Sequence, residues 1–139
     1  MGLGGNYITQ RNILQRLDVD KFCPIILSPL DGIALEEFRK IGVECAVIPP
    51  NGKLGTYGGS ILRTGIFGKI KATFELLRYN LKLVSFLRER KIDLVYANCV
   101  RAQMSIGLAA RLCKIPSLLY IKGELINPII DRLSFALAN

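Results

Sequence analysis

The chain has 139 residues, half of them hydrophobic, and a mean hydropathy of +0.33. This composition excludes a disordered chain and predicts a single domain, residues 1–139, with one buried core. No uncharged stretch approaches the roughly 20 apolar residues that a membrane-spanning helix needs. The first residues also lack the pattern of a signal peptide, so we expect neither feature.

The chain is basic and contains no histidine. Nineteen Lys and Arg residues against eleven Asp and Glu give a net charge of +8, which favours an anionic partner such as nucleic acid, a phospholipid surface or a phosphorylated substrate. Without histidine, a Ser-His or Cys-His nucleophile is excluded. The four cysteines form no CxxC pair, which argues against a zinc site and favours reduced thiols in a cytoplasmic protein.

Apolar periodicity predicts helices and strands that alternate along the chain. The predicted helices are Asn6–Leu17, Ile33–Ile41, Ile61–Lys91, Arg101–Cys113 and one that starts at Pro128. The predicted strands are Phe22–Ser28, Val43–Ile48, Asp93–Ala97 and Ser117–Ile121. The strands are apolar throughout, which is typical of a parallel sheet with helices on both faces. We therefore predict an α/β fold with a Rossmann-like sheet.

In parallel sheets of this class, ligands bind beyond the carboxyl ends of the strands. Gly4 and Gly5 precede the first helix, where backbone N–H groups can bind a phosphate, although a flexible terminus has the same composition. Asn98 and Arg101 follow the third strand. They could bind a sugar hydroxyl and a phosphate, or Asn98 could cap the next helix while Arg101 is solvated.

The turn after the fourth strand carries a second group of candidates, Lys122, Gly123 and Glu124. Their position at the end of a strand favours a binding role, and an ordinary surface pair is the alternative. No other motif for catalysis or metal binding stands out.

The long helix carries many cations, and its apolar residues Ile70, Phe74, Leu77, Leu81 and Val84 fall on one face. A basic amphipathic helix can lie on an anionic membrane, which predicts a membrane surface at Lys69, Lys71, Arg78 and Lys82. The alternative is a core helix with a solvated basic face. No RNA-binding signature is present, and we expect no nucleic-acid partner.

Three segments resemble the N-terminal domain of GT-B glycosyltransferases of the group 1 (family 4) type. They are GLGGNYITQRNILQRL (Gly2–Leu17), GIALEEFRKIGVECAVIP (Gly32–Pro49) and DLVYANCVRAQMSIGLAARLCKIPSLLYIKGEL (Asp93–Leu125). In that family a first strand precedes the glycine-rich loop and a second Rossmann domain follows. The resemblance implies that this chain is the acceptor-side half, with the first, central strand missing and two strand edges exposed as a result. Exposed edges predict poor stability or oligomerisation.

The resemblance implies sugar transfer from a nucleotide-sugar to a polysaccharide, lipid-linked or cell-envelope acceptor. Gly4 and Gly5 would bind the donor diphosphate, and Asn98, Arg101, Lys122, Gly123 and Glu124 would line the acceptor cleft. Lys122 replaces the family's common Arg or His, and so keeps the charge without the bidentate geometry. No cofactor beyond the nucleotide-sugar is expected, and the missing half would supply the main cationic groups.

The implied location is the cytoplasm, with a possible peripheral position on the inner face of the membrane. We expect the isolated chain to be inactive in sugar transfer. Two alternatives stay open at this point: a non-catalytic, membrane-associated subunit of a two-subunit glycosyltransferase, and a flavodoxin-like binding module.

Overall fold

The computed structural model describes residues 5–50, 66–121 and 128–138. Within these ranges, helices and strands alternate in the order predicted. They are α1 (Gly5–Leu14), β1 (Ile25–Ser28), α2 (Ile33–Lys40), β2 (Glu44–Val47), α3 (Ile66–Glu89), β3 (Val95–Ala97), α4 (Val100–Leu112), β4 (Ser117–Leu119) and α5 (Pro128–Leu137). The chain divides into two compact units, residues 1–49 and 50–139. The single domain expected from composition stays a prediction.

The first unit is built on the parallel pair β1–β2, whose register runs from Ile25 opposite Glu44 to Ser28 opposite Val47. Helix α2 packs on both strands. The buried core consists of Tyr7 from α1 with Leu35 and Phe38 from α2. The tyrosine and phenylalanine rings lie 5.0 Å apart between centroids, close enough for the tilted aromatic contact that stabilises such cores.

The second unit is built on the parallel pair β3–β4, in which Val95 lies opposite Ser117. Helix α4 packs on this sheet and also on α3 and α5, so it is the central element of the unit. The buried apolar side chains of the unit come from α3, the sheet and α4, and include Leu83, Leu87, Val95, Ala97, Ala109 and Ala110. The opposite face of the sheet exposes Tyr96, Leu118 and Tyr120.

Three helices reach the next strand through the same turn. A residue with positive φ ends the helix, and the apolar residue after it donates its N–H to a carbonyl five residues back. The positive-φ residues are Gly42 (80°), Lys91 (49°) and Lys114 (59°). The hydrogen bonds are Val43 to Phe38, Ile92 to Leu87 and Ile115 to Ala110. This turn sets the direction in which each strand leaves its helix.

Helices α3 and α4 run parallel to each other. The amide oxygen of Asn80 accepts a hydrogen bond from the N–H of Ala109 at 3.1 Å. Four residues further along each helix, the thiol of Cys113 reaches the carbonyl oxygen of Val84 at 3.9 Å. Because the two contacts advance together, the first turn of α4 lies at the same end of the pair as the first turns of α3.

The face that α3 buries differs from its apolar face in the sequence. The predicted face is exposed at Ile70, Phe74, Leu77 and Leu81, whereas Tyr79, Asn80, Leu83 and Leu87 are buried. The exposed set recurs at steps of four, three and four, and the buried residues from Asn80 to Leu87 at steps of three and four, so both form continuous stripes along the helix. Helix α4 covers the second set, and the first set remains at the surface.

Candidate functional site

The candidate site lies where β3 meets α4, at the carboxyl end of the strand. Asn98 directly follows the last residue of β3, and α4 starts two residues later. The N-cap of α4 is Cys99, whose sulfur accepts a hydrogen bond from the N–H of Ala102 at 3.4 Å. The interpretation of Asn98 as the helix cap is therefore wrong, and its partly buried side chain does not serve that purpose.

Arg101 lies in the first turn of α4 and is exposed. A cation at this end of a helix faces the positive end of the helix dipole, which costs a few tenths of a kcal/mol and does nothing to stabilise the helix. The structure thus brings Asn98 and Arg101 to one turn at the carboxyl edge. That turn offers an amide, a guanidinium and helix N–H groups, which together suit a phosphorylated or hydroxyl-rich ligand.

A buried network of hydrogen bonds, which was not predicted from the sequence, fixes the N-terminal part of α4. The Nε2 of Gln103 donates to the Oγ of Ser117 at 3.0 Å, and that hydroxyl donates to the carbonyl oxygen of Leu137 at 3.0 Å. These two hydrogen bonds join α4, β4 and the end of α5. The Oε1 of Gln103 is buried without a partner among the described residues. The two bonds join residues that are 14 and 20 positions apart in the sequence, so no local sequence pattern predicts them.

The structure describes only some of the other predicted site residues. Gly5 is the first residue of α1, as a role at a helix N-terminus requires. Four predicted site residues, Gly4, Lys122, Gly123 and Glu124, lie outside the described residues. Lys69 falls within α3, but its side chain also lies outside them.

Helix α3 exposes a long apolar surface, here called the α3 stripe, made of Phe67, Ile70, Phe74, Leu77 and Leu81. Their exposed fractions run from 48% to 89%. At about 100° per residue, Lys71, Arg78 and Lys82 fall on one border of the stripe. All three are exposed, and their role at a membrane surface stays a prediction.

An ion pair lies beyond the carboxyl end of β1, in the first unit. The guanidinium of Arg39 donates to both carboxylate oxygens of Asp31, at 3.0 and 3.3 Å. The N–H of Gly32 donates to the same carboxylate at 2.9 Å. The bond from Arg39, followed by the one from Gly32, holds the pKa of Asp31 below its ordinary value of 3.8. This pair orders the turn that leads into α2.

In the part of the chain that the structure describes, no three His, Cys, Asp or Glu side chains come together as metal ligands. None of the described helices combines the length and apolar character needed to cross a membrane.

Comparison with known proteins gives one fold relationship. No family model and no curated protein matches the chain. The crystal structure of Acinetobacter baumannii MurG matches it with a TM-score of 0.64 at 19% sequence identity. The match covers 99% of this chain and 37% of the MurG chain, so the chain spans little more than a third of MurG's length. MurG has the GT-B glycosyltransferase fold, and this chain has the Rossmann-like fold of one GT-B half.

Proposed function

We propose that the chain is the acceptor-side half of a glycosyltransferase that moves a sugar from a nucleotide-sugar to a glycan, lipid-linked or cell-envelope acceptor. The observation that carries this proposal is the fold likeness to MurG over 99% of the chain. The turn with Asn98 and Arg101 adds support, because it lies where ligands bind in folds of this class. The finer assignment to the group 1 (family 4) type rests on the sequence resemblance alone.

In such a transfer the bond between the sugar and the diphosphate breaks, and the departing diphosphate keeps the electron pair. The acceptor hydroxyl forms the new bond and loses its proton. In this proposal Gly4 and Gly5 bind the diphosphate through backbone N–H groups. Asn98 binds an acceptor hydroxyl, and Arg101 pairs with an acceptor phosphate. Lys122, Gly123 and Glu124 complete the acceptor cleft.

The proposed partners are the nucleotide-sugar, the acceptor, and a second Rossmann domain or subunit that supplies most donor contacts. The proposed location is the cytoplasm, at the inner face of the membrane. A non-catalytic acceptor subunit would use the same cleft. A turnover measurement with the second domain present distinguishes it from half of an active enzyme.

The test is a titration followed by amide NMR. We expect a soluble glycan phosphate to shift the resonances of Asn98, Arg101 and their neighbours, and the Asn98→Ala and Arg101→Ala variants to bind it about tenfold more weakly, since each loses a hydrogen bond to a charged or polar ligand group. Arg16→Ala, an exposed arginine on the first unit, serves as the control and should bind normally. Shifts confined to other regions would contradict the proposed cleft.

Turnover is measured separately, with nucleotide-sugar and acceptor present. We expect none from the chain alone and sugar transfer when the second Rossmann domain or partner is added. Sugar transfer by the chain alone would contradict the proposal that a second domain or subunit supplies most donor contacts. Acceptor binding without transfer, even with that second half present, would identify a non-catalytic acceptor subunit.

A further inference from the structure

We propose that Gln103 is a positioning residue for the acceptor cleft, because its hydrogen bond to Ser117 sets where the turn with Asn98 and Arg101 lies. This role rests on the proposed function, in which that turn binds the acceptor. Gln103 itself touches no ligand and acts through the backbone of α4. The role adds to the proposed site a residue that neither the sequence pattern nor the fold likeness assigns.

The turn between β3 and α4 is only two residues long, Asn98 and Cys99, so its position depends on what holds its two ends. On the strand side, the carbonyl oxygen of Ala97 accepts a hydrogen bond from the N–H of Tyr120 at 2.8 Å. On the helix side, the N–H of Gln103 donates to the carbonyl oxygen of Cys99 at 3.1 Å, and its side chain bonds to β4 at 3.0 Å. The first turn of α4 is therefore attached to β4 as well as to β3.

The amide of Gln103 fits between α4 and α5 because residue 107 is glycine. A Cβ added to Gly107 would lie 2.9 Å from the Nε2 of Gln103 and 2.9 Å from the Cβ of Leu137, closer than Cβ atoms come to other atoms in proteins. One turn further along α4, the guanidinium of Arg111 donates to the carbonyl oxygen of Ala136 at 2.7 Å. Residues four apart share one face of a helix, so this face fixes α4 against the end of α5.

Stability alone does not account for a glutamine at this position. Gln103 is fully buried, and its Oε1 has no hydrogen-bond partner among the described residues. A buried amide that is only partly hydrogen-bonded stabilises the fold less than an apolar side chain of similar shape. Methionine would fill a similar length without that cost. It would supply no donor for Ser117, and so the hydrogen bond that fixes α4 along its axis would be lost.

A second buried amide contacts α4 further from the turn. Asn80 of α3 is 2% exposed, its Oδ1 accepts from the N–H of Ala109 at 3.1 Å, and its Nδ2 donates to the carbonyl oxygen of Leu76 at 3.0 Å. Both ends of this amide have partners. Its bond reaches α4 six residues after Gln103, or about 9 Å along the helix axis. Asn80 therefore offers a control of the same chemistry on the same helix.

The test compares Gln103→Met with Asn80→Leu by urea unfolding and by an amide NMR titration with glucose 1-phosphate. For Gln103→Met we expect a small change in the urea midpoint and about five- to tenfold weaker binding, since a displaced turn loses part of its charge-assisted contacts. For Asn80→Leu we expect the larger fall in the urea midpoint, because a fully bonded buried amide is lost. Its affinity should match that of the parent chain.

Spectra recorded without ligand report the position of the turn directly. In Gln103→Met the amide resonances of Asn98–Ala102 should move, whereas Asn80→Leu should move those around Ala109. Gly107→Ala places a methyl group against the amide of Gln103 and should move the same resonances of the turn. These spectra involve no ligand, so they measure the positioning separately from the proposed function.

Three outcomes would overturn the role of Gln103: an affinity of Gln103→Met equal to that of the parent chain, unchanged resonances of the turn, or equal losses of affinity in Gln103→Met and Asn80→Leu. Failure of the proposed function has a different signature. If the parent chain binds no glucose 1-phosphate, or binds it equally well after Arg101→Ala, the proposed cleft is wrong and the positioning role falls with it. Binding that Arg101→Ala weakens and Gln103→Met does not would overturn the role of Gln103 alone.

Discussion

Lys91 and Lys114 hold backbone positions that suit glycine, at φ 49° and 59°. A residue other than glycine in this left-handed region lowers the free energy of unfolding by roughly 1 kcal/mol. Glycine avoids this strain but loses more conformational freedom on folding, so Lys114→Gly should stabilise the protein by about 0.5 kcal/mol. Urea unfolding followed by circular dichroism measures the change. The control is Gly42→Ala, at φ 80° with no atom within 4 Å of the added Cβ. It should cost about 1 kcal/mol through the backbone alone. If Lys114→Gly destabilises the chain, the turn is not left-handed in solution.

The carboxylate of Asp31 titrates below its ordinary pKa of 3.8 because Arg39 and the N–H of Gly32 bind its charged form. A pKa lowered by folding adds stability above the unfolded value, and this contribution disappears as the pH falls through the folded value. In Arg39→Gln the pKa of Asp31 should move up towards 3.8, and the loss of stability in acid should become shallower. Carboxyl NMR titration of both proteins measures this. An unchanged pKa would show that the ion pair does not persist in solution.

Among the elements, the junction of α4, β4 and α5 depends on Ser117. Ser117→Ala removes two hydrogen bonds and leaves the Nε2 of Gln103 without its partner, which should cost about 1–3 kcal/mol. Gln103→Met should cost less, because it also removes the Oε1 that has no partner among the described residues. The double variant should cost less than the two single effects added together. Additive effects in urea unfolding would mean that the two side chains do not interact.

The order of helices and strands could be predicted because apolar periodicity is a local property. Boundaries could not be predicted as well. The apolar run predicted as a strand began at Phe22, whereas β1 begins at Ile25, since the cyclic Pro24 has no N–H to donate to a ladder. The packed face of α3 could not be chosen either, because two apolar stripes share one helix and only the tertiary contact with α4 separates them.

The candidate site was predictable only in part, for the same reason. Asn98 and Arg101 could be found from their position after a strand, which is a local signal. The cap at Cys99 escaped prediction because a thiol is a weak acceptor and an uncommon cap. The contact between Ser117 and Gln103 could not be predicted because only the folded chain brings the two residues together.

At the scale of the whole molecule, β3 has a strand partner on one edge only among the described residues. The N–H of Val95 donates to Pro116, and Ala97 accepts from Tyr120. Alternate residues of a strand in a parallel ladder point to opposite edges, so the N–H and C=O of Tyr96 face away from β4. Strand edges that no other element covers recruit further strands.

We therefore expect the chain to associate as its concentration rises, and Tyr96→Lys to reduce that association, because charged edge residues oppose strand addition. Tyr120→Lys is the matched control. It changes a tyrosine on the same face with similar exposure, but its N–H already bonds to β3. Sedimentation velocity measures both variants. Equal effects would show that association uses the exposed face of the sheet instead of the edge.

The parallel arrangement of α3 and α4 has a consequence for how a substrate would arrive. The turn with Asn98 and Arg101 lies at the same end of the helix pair as Phe67 and Lys71. Because α4 packs on the face of α3 opposite the α3 stripe, a chain resting on a bilayer through the stripe would hold that turn one helix layer, roughly 10 Å, above α3 and its lipid contacts. An acceptor with its own lipid anchor would then reach the turn by lateral diffusion in two dimensions. The encounter rate would depend on the surface density of the acceptor and not on its bulk concentration.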